Sequence, residues 1–203
     1  MKKLLFITML LGAGYSQCNA DTWQEYYPNM QGCNLQGADL SGVDFSWANL
    51  SSANLNGADL VGANLEWADL SGADCNWANF SDADLTWAYL DTTDFNYAYL
   101  WRTTLQNATL LGTSLRYTHL READLAGAHF LDADCTGAYF VGADGLDTAI
   151  FDDTNLTWAY FDKNLDGKDD VSFDAGATTG DVNLDGELNI LDLVQSSNMI
   201  LEN

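Results

Sequence analysis

One run of residues near the C terminus carries explicit chemistry. Asp181-Val182-Asn183-Leu184-Asp185-Gly186-Glu187-Leu188-Asn189-Ile190-Leu191-Asp192 places side-chain oxygens at loop positions 1, 3, 5, 9 and 12, with glycine at 6. An all-oxygen donor set suits a hard cation: Ca2+ takes roughly 6–8 oxygens, and glycine permits the sharp turn that gathers them. Asp181, Asn183, Asp185 and Asp192 would bind through side chains, Glu187 through its backbone carbonyl, and Asn189 directly or through water. An earlier run offers Asp162, Asn164, Asp166 and Asp170 at positions 1, 3, 5 and 9, but Phe173 stands at position 12. Ca2+ is the expected cofactor of both loops, the alternative being acidic surface turns.

What positions these loops is a five-residue rhythm. From Leu35 to Phe140 an apolar centre recurs at every fifth residue, giving 22 repeats with 15 Leu, 5 Phe and 2 Cys. The residue two places earlier is Ala in 16 repeats and Thr in 4, at Thr93, Thr103, Thr113 and Thr118. On a helix this period would drift around the axis, and on a straight strand successive centres would point to opposite faces. Both patterns are reconciled by a chain that runs extended for a few residues and turns between repeats. The expected architecture is an all-β polygonal solenoid whose stacked coils lie about 4.8 Å apart. Gly145 interrupts the count, and centres resume at Leu146, Phe151, Leu156 and Phe161. Residues 141–147 are therefore expected to form a bulge or outward loop within one array.

The segments Ala38–Gly42, Ala53–Gly57 and Ala58–Gly62 read ADLSG, ANLNG and ADLVG. They resemble the pentapeptide-repeat family, which implies a right-handed quadrilateral β-helix with four repeats per coil. Gly180 to Leu201, GDVNLDGELNILDLVQSSNMIL, resembles a type I dockerin repeat, which implies a calcium loop followed by a short helix. A dockerin resemblance also implies a cohesin-like protein partner, although the first acidic loop lacks the second half that such modules usually carry. The expected layout is a leader at 1–20, an N-terminal cap at 21–31, the solenoid at 32–161 and a dockerin-like segment at 162–203.

The leader reading rests on Lys2 and Lys3, the apolar run Leu4 to Ala13, and small residues at Cys18 and Ala20 before Asp21. The expected location is secreted or extracytoplasmic, in a periplasm or at a cell surface, with no membrane span. With Cys18 removed, Cys33, Cys75 and Cys135 are an odd set, expected to be buried, small apolar groups. Cys75 and Cys135 are three coils, or about 14 Å, apart, beyond disulfide reach.

Net charge is −23, which repels nucleic acid and anionic membrane and attracts cations and basic proteins. Some pentapeptide-repeat proteins are acidic rods that mimic DNA and occupy a type II topoisomerase; an exported chain would not meet that enzyme. Outside the core, Trp47, Trp67 and Trp87 recur at one residue per coil, as do Trp77, Tyr97 and Tyr117, with Tyr99, His119 and Tyr139 beside the second set. These columns are read either as inter-coil stacking or as a platform for a carbohydrate or a partner protein. Arg102, Arg116 and Arg121, every arginine in the chain, form a belt expected to neutralise nearby carboxylates. No nucleophile–base pair is apparent. The sequence points to a non-enzymatic structural or interaction rod, its C-terminal module docking or capping and the rods able to associate end to end or through their C termini. A carbohydrate-binding module and a DNA-mimic inhibitor are the alternatives.

Overall fold

The computed structural model describes residues 18–162 and 171–172. Parallel bridges Asp39↔Asp59, Asp44↔Asn64, Asn49↔Asp69 and Asn54↔Asp74 link each face of the coil to the same face twenty residues on. Four repeats therefore complete one coil, and the β-helix expected from the period is what the chain forms.

Each repeat solves its own backbone problem. The carbonyl of the centre accepts a hydrogen bond from the amide three residues later, as Leu35 does from Ala38, which closes a turn at every corner. Just before the centre, Asp or Asn reaches over the corner: Asp39 Oδ1 accepts from the Ser41 amide and Asn54 Oδ1 from the Asn56 amide. This local turn needs an acceptor and not a charge, which is why Asp and Asn alternate there. Amides between the corners bond to the neighbouring coil, as Leu35 N–H does to Asn54 O at 2.7 Å.

The interior is a continuous column of centres and small residues. The leucine centres from Leu35 to Leu125 and the phenylalanines Phe45, Phe80, Phe95 and Phe130 are fully buried, with Ala68, Ala78 and Ala88 between them. The four threonines at the small position are also fully buried. Each hydroxyl donates to a carbonyl in the preceding coil at 2.8 Å, Thr93 to Leu70, Thr103 to Phe80, Thr113 to Leu90 and Thr118 to Phe95. Phe130 stacks on Phe151 and Phe140 on Phe161, so the column continues through the break. There the offset lengthens by one residue, His129↔Ile150 and Asp134↔Asn155. Gly145 is the corner that makes this possible. Its φ is +72°, and a Cβ there would lie 2.3 Å from the Ala126 amide nitrogen.

The two ends differ from the body. Near the N terminus the described coil already includes Cys18, ahead of the expected cap, and Met30 occupies a buried centre. A 3-10 turn, Trp23–Glu25, lays Trp23 edge-on against Phe45, at 4.9 Å between ring centroids. Cys33 is not a free thiol: it is disulfide-bonded to Cys18, with Cα atoms 4.9 Å apart. The sequence reading fails here because the first coil is short, so Asn19 pairs with Asn34 only fifteen residues on and the two cysteines share a column. Cys75 and Cys135 are buried free thiols, and burial pushes both well above the usual thiol range.

At the C terminus β1 (Tyr160–Phe161) pairs antiparallel with β2 (Val171–Ser172), Tyr160 opposite Ser172 and Phe161 opposite Val171. Tyr160 also bridges Tyr139 in parallel, so β2 takes the outer edge of the last coil, where a further coil would otherwise pair. The helix expected after the second acidic loop lies outside the described residues.

Candidate functional site

The corner after each centre is held at positive φ, a conformation that glycine adopts freely and bulky residues rarely do. Gly37, Gly42 and Gly57 fill it in several repeats, with φ between +64° and +66°. Elsewhere the same corner holds Trp47, Trp67, Trp77, Trp87, Tyr97, Tyr117 and Trp158, at φ from +56° to +62°. A non-glycine residue in the left-handed region costs about 1–2 kcal/mol. Both aromatic columns therefore stand at corners that glycine adopts at lower cost, a conformation they share with Ser52, Asp82, Thr92, Arg102, Asn107, Glu122, Asp132 and Asp153. That signal was available in the sequence, because glycine recurs two places after the centre.

Stacking returns part of this cost. Trp47, Trp67 and Trp87 lie parallel at 5.1 Å between successive centroids, with interplanar angles of 6° and 5°. Trp77 and Tyr97 stack at 4.5 Å, and Tyr97 and Tyr117 at 5.4 Å. On the adjoining face Tyr99, His119 and Tyr139 stack at 5.1 and 4.9 Å. Each such pair contributes about 0.5–1.5 kcal/mol. Burial between its two tyrosines lowers the His119 pKa below the ordinary imidazole value. Tyr160 follows Tyr139 in this column, tilted against it. Trp158 follows Thr157, the carbonyl partner of Gly137, and so continues the Trp77–Tyr97–Tyr117 corner beyond that glycine. Glycine at 137 matters to the column: a Cβ there would meet the Tyr117 ring at 2.5 Å.

This geometry decides what the columns can offer. A sugar platform presents ring faces, but an interior ring such as Trp67 or His119 has a neighbour on both faces. What remains outward is a row of ring edges, with free ring faces only where a column ends. Trp47, at such an end, is 68% exposed.

The tyrosine face also changes character along the rod. Its outward positions read Asp39, Asp59 and Asn79 in the first coils and Tyr99, His119 and Tyr139 in the later ones. Tyr97, Tyr99 and Trp101 are all exposed across one coil, making a broad aromatic surface.

The arginine belt borders this surface, and it is neutralised. Arg102 donates through Nε and Nη2 to the two carboxylate oxygens of Asp82 at 2.7 and 2.9 Å. These bonds hold the Asp82 carboxyl below its ordinary range and raise Arg102. Arg121 pairs with Glu122 at 3.0 Å, lowering the Glu122 pKa, and Arg116 Nε lies 3.7 Å from Asp134. The guanidinium carbons of Arg102 and Arg121 also lie 4.8 and 5.8 Å from the Trp101 ring centroid. The belt thus holds no free cation among the described residues. Its aromatic partner Trp101 was not singled out by the sequence.

Of the calcium candidates only Asp162 is described. It is buried at the start of the connection between β1 and β2, and its carbonyl accepts from the Gly142 amide at 2.8 Å. Asn164, Asp166 and Asp170, and Asp181, Asn183, Asp185, Glu187, Asn189 and Asp192, lie outside the described residues. Among the described residues no cluster of His, Cys, Asp or Glu is arranged to hold a metal, and no helix is long and apolar enough to cross a membrane.

Comparison with known proteins agrees with the coil geometry. The Pentapeptide repeats family model matches in 8 copies, over residues 29–66, 58–96, 83–118, 93–130 and 110–144. A pentapeptide repeat protein of the Arabidopsis thaliana thylakoid lumen is 33% identical, with 52% of this chain and 67% of that chain covered and a TM-score of 0.39. HetL, involved in heterocyst differentiation regulation in Nostoc sp. strain PCC 7120, is 28% identical over 70% of this chain and 76% of its own, with a TM-score of 0.31. QnrB1, a plasmid-mediated fluoroquinolone resistance protein, is 17% identical over 61% and 66%, with a TM-score of 0.49. No curated protein matches the chain. Twenty-residue coils, buried Leu and Phe centres and repeat matches over more than half its length agree: the chain belongs to the pentapeptide repeat family.

Proposed function

We propose that this protein is an exported, non-enzymatic rod that docks another secreted or cell-surface protein through its aromatic columns. The observation that carries the reading is the placement of seven Trp and Tyr residues at left-handed corners where glycine would fold at lower cost. Residues held in sparsely populated backbone regions cluster at binding sites, and what sets these corners apart from Ser52 or Asp82 is that their side chains form stacked, outward columns. Tyr, Trp and Arg are also the side chains that dominate protein interfaces. The surrounding acidity favours a partner whose docking face is basic at its rim. The non-enzymatic part of this reading is supported by an interior filled with Leu, Phe, Ala and hydrogen-bonded Thr.

Export is supported by the leader-like N terminus and by the Cys18–Cys33 disulfide, since such bonds persist in oxidising compartments. The DNA-mimic alternative has charge in its favour and the disulfide against it. The carbohydrate alternative is weakened because stacking covers the ring faces.

The C-terminal segment binds Ca2+ in this reading, through Asp181, Asn183, Asp185, Glu187, Asn189 and Asp192, and through Asp162, Asn164, Asp166 and Asp170 in the first loop. The return of β2 onto β1 across the first loop favours a capping role over cohesin-like docking. Calcium would tie the connection that closes the last coil.

The test combines Trp47→Gly, Trp67→Gly and Trp87→Gly in one variant and Tyr97→Gly with Tyr117→Gly in another. Photo-crosslinking in the exported fraction is expected to lose its adduct in at least one variant while circular dichroism keeps the β-helix signal. Unchanged adducts in both variants would overturn the docking surface. Melting with and without chelator reads the calcium role separately; an unshifted transition would remove it.

A further inference from the structure

The N-terminal coil bears on how this chain is matured, a question that rests on export as proposed above. Cys18 has the status of an interior residue. It is 1% exposed, and its carbonyl accepts from the Asn34 amide at 3.0 Å, just as the Cys33 carbonyl accepts from Asn54 one coil later. Cys18 thus fills the small-residue position of the first coil, directly above Cys33.

Asn19 is tied in as well. It bridges Asn34 in parallel, its carbonyl accepts from the Thr22 and Trp23 amides at 3.0 Å each, and its Oδ1 accepts from the Asp21 amide at 2.9 Å. Cleavage before Asp21 would remove all of these partners. It would also leave the Cys33 sulfur uncovered at the end of the core. The fold therefore conflicts with the cut expected from Cys18-Asn19-Ala20.

Upstream, Gly14-Tyr15-Ser16 again offers small residues at the two positions that leader peptidases read, directly after the apolar run that ends at Ala13. We infer that the leader is cut between Ser16 and Gln17, and that the mature chain keeps Cys18 as half of a disulfide with Cys33.

Water adds across the Ser16–Gln17 amide, leaving a carboxylate on Ser16 and an amine on Gln17. The two thiols are oxidised by exchange with a disulfide of the oxidising compartment, which takes up the two electrons and two protons they release. With its sulfur in that bond, Cys18 has no thiol for S-acylation, so the protein is not held to a membrane by a lipid at this residue.

The experiment is intact mass and N-terminal sequencing of the exported full-length gene product, with iodoacetamide added before and after reduction. The expected product begins at Gln17, carries no acyl mass, and takes label at Cys18 and Cys33 only after reduction. Ser16→Leu, placing a bulky residue beside the scissile bond, is expected to accumulate precursor, whereas Ala20→Leu, at an exposed position, is expected to mature normally. In denaturant, Cys33→Ala should make Cys18 labelable without reduction, which shows directly that Cys18 is retained. A mature chain beginning at Asp21, or a lipid on Cys18, would overturn the inference while leaving export intact. An uncleaved leader on cytosolic protein would overturn export as well.

Discussion

Two positions in the same repeat, the centre and the corner two residues later, obey opposite rules. Centres accept Leu, Phe, Met or Cys, buried except at Leu146 and Leu156, which are partly buried against the column, because each must fill a space bounded by the coils on either side. Corners accept Gly, Ser, Asp, Thr, Asn, Arg, Glu, Trp and Tyr, with only the backbone conformation held constant. The centre is thus dictated by the fold and the corner is released from it. A costly residue that recurs at a released position calls for an explanation other than folding, and the aromatic columns are that case.

The contrast can be broken most severely from the inside. Phe45→Ala removes a fully buried ring that also receives Trp23 from the cap. It is expected to cost about 3–5 kcal/mol in denaturant unfolding. A loss under about 1 kcal/mol would mean that the column tolerates cavities and that the centre is not dictated after all.

Next in size is the N-terminal staple. Cys33→Ala restores the residue ordinarily found at that position but opens a loop with a sequence separation of 15. Stability should fall by about 3 kcal/mol under oxidising conditions, and hardly at all once both proteins are reduced. Equal stability of the two oxidised proteins would contradict the staple.

A smaller effect tests the threonines. Thr103→Val keeps the shape and deletes the hydroxyl bond to the Phe80 carbonyl, which still accepts from the Ala83 amide. The expected cost is about 1 kcal/mol. A neutral substitution would show that Thr stands for Ala without energetic purpose.

The smallest effect concerns pH. The His119 pKa is lowered by burial between two tyrosines, so the folded state prefers the neutral ring. Below the unfolded value of 6.5 the unfolded chain takes up the proton first, and stability contributed by the neutral ring is lost as pH falls. His119→Phe should therefore melt less pH-dependently than the parent between about pH 8 and about pH 5. The carboxylates lowered by hydrogen bonds, such as Asp39 and Asp44, also lose stabilisation in acid, and both proteins share them. Identical pH profiles would remove His119 from the account.

The β-helix was legible because its period is local: the interval between apolar centres excludes helix and straight strand without any structure. The break at Gly145 was legible for the same reason. Cys18–Cys33 was not, because its register depends on a first coil five residues short, and nothing local in 18–33 announces that length. The pairing of Arg102 with Asp82 lies a full coil apart, so the belt looked basic in sequence and is neutral in space. Trp47, Trp67 and Trp87 were legible as a column, but a list of intervals says nothing about whether ring faces or edges look outward. The first acidic run carries no helix period after Asp170, and the chain forms the strand Val171–Ser172 there.

The central claim, that the corner aromatics are not there for the fold, is tested most directly within one repeat. Equilibrium unfolding of Trp47→Gly should differ from the parent by less than about 1 kcal/mol, because the lost stack and the relieved left-handed strain offset one another. A loss comparable to that of Phe45→Ala, about 3–5 kcal/mol, would show that the column is structural and would contradict the account.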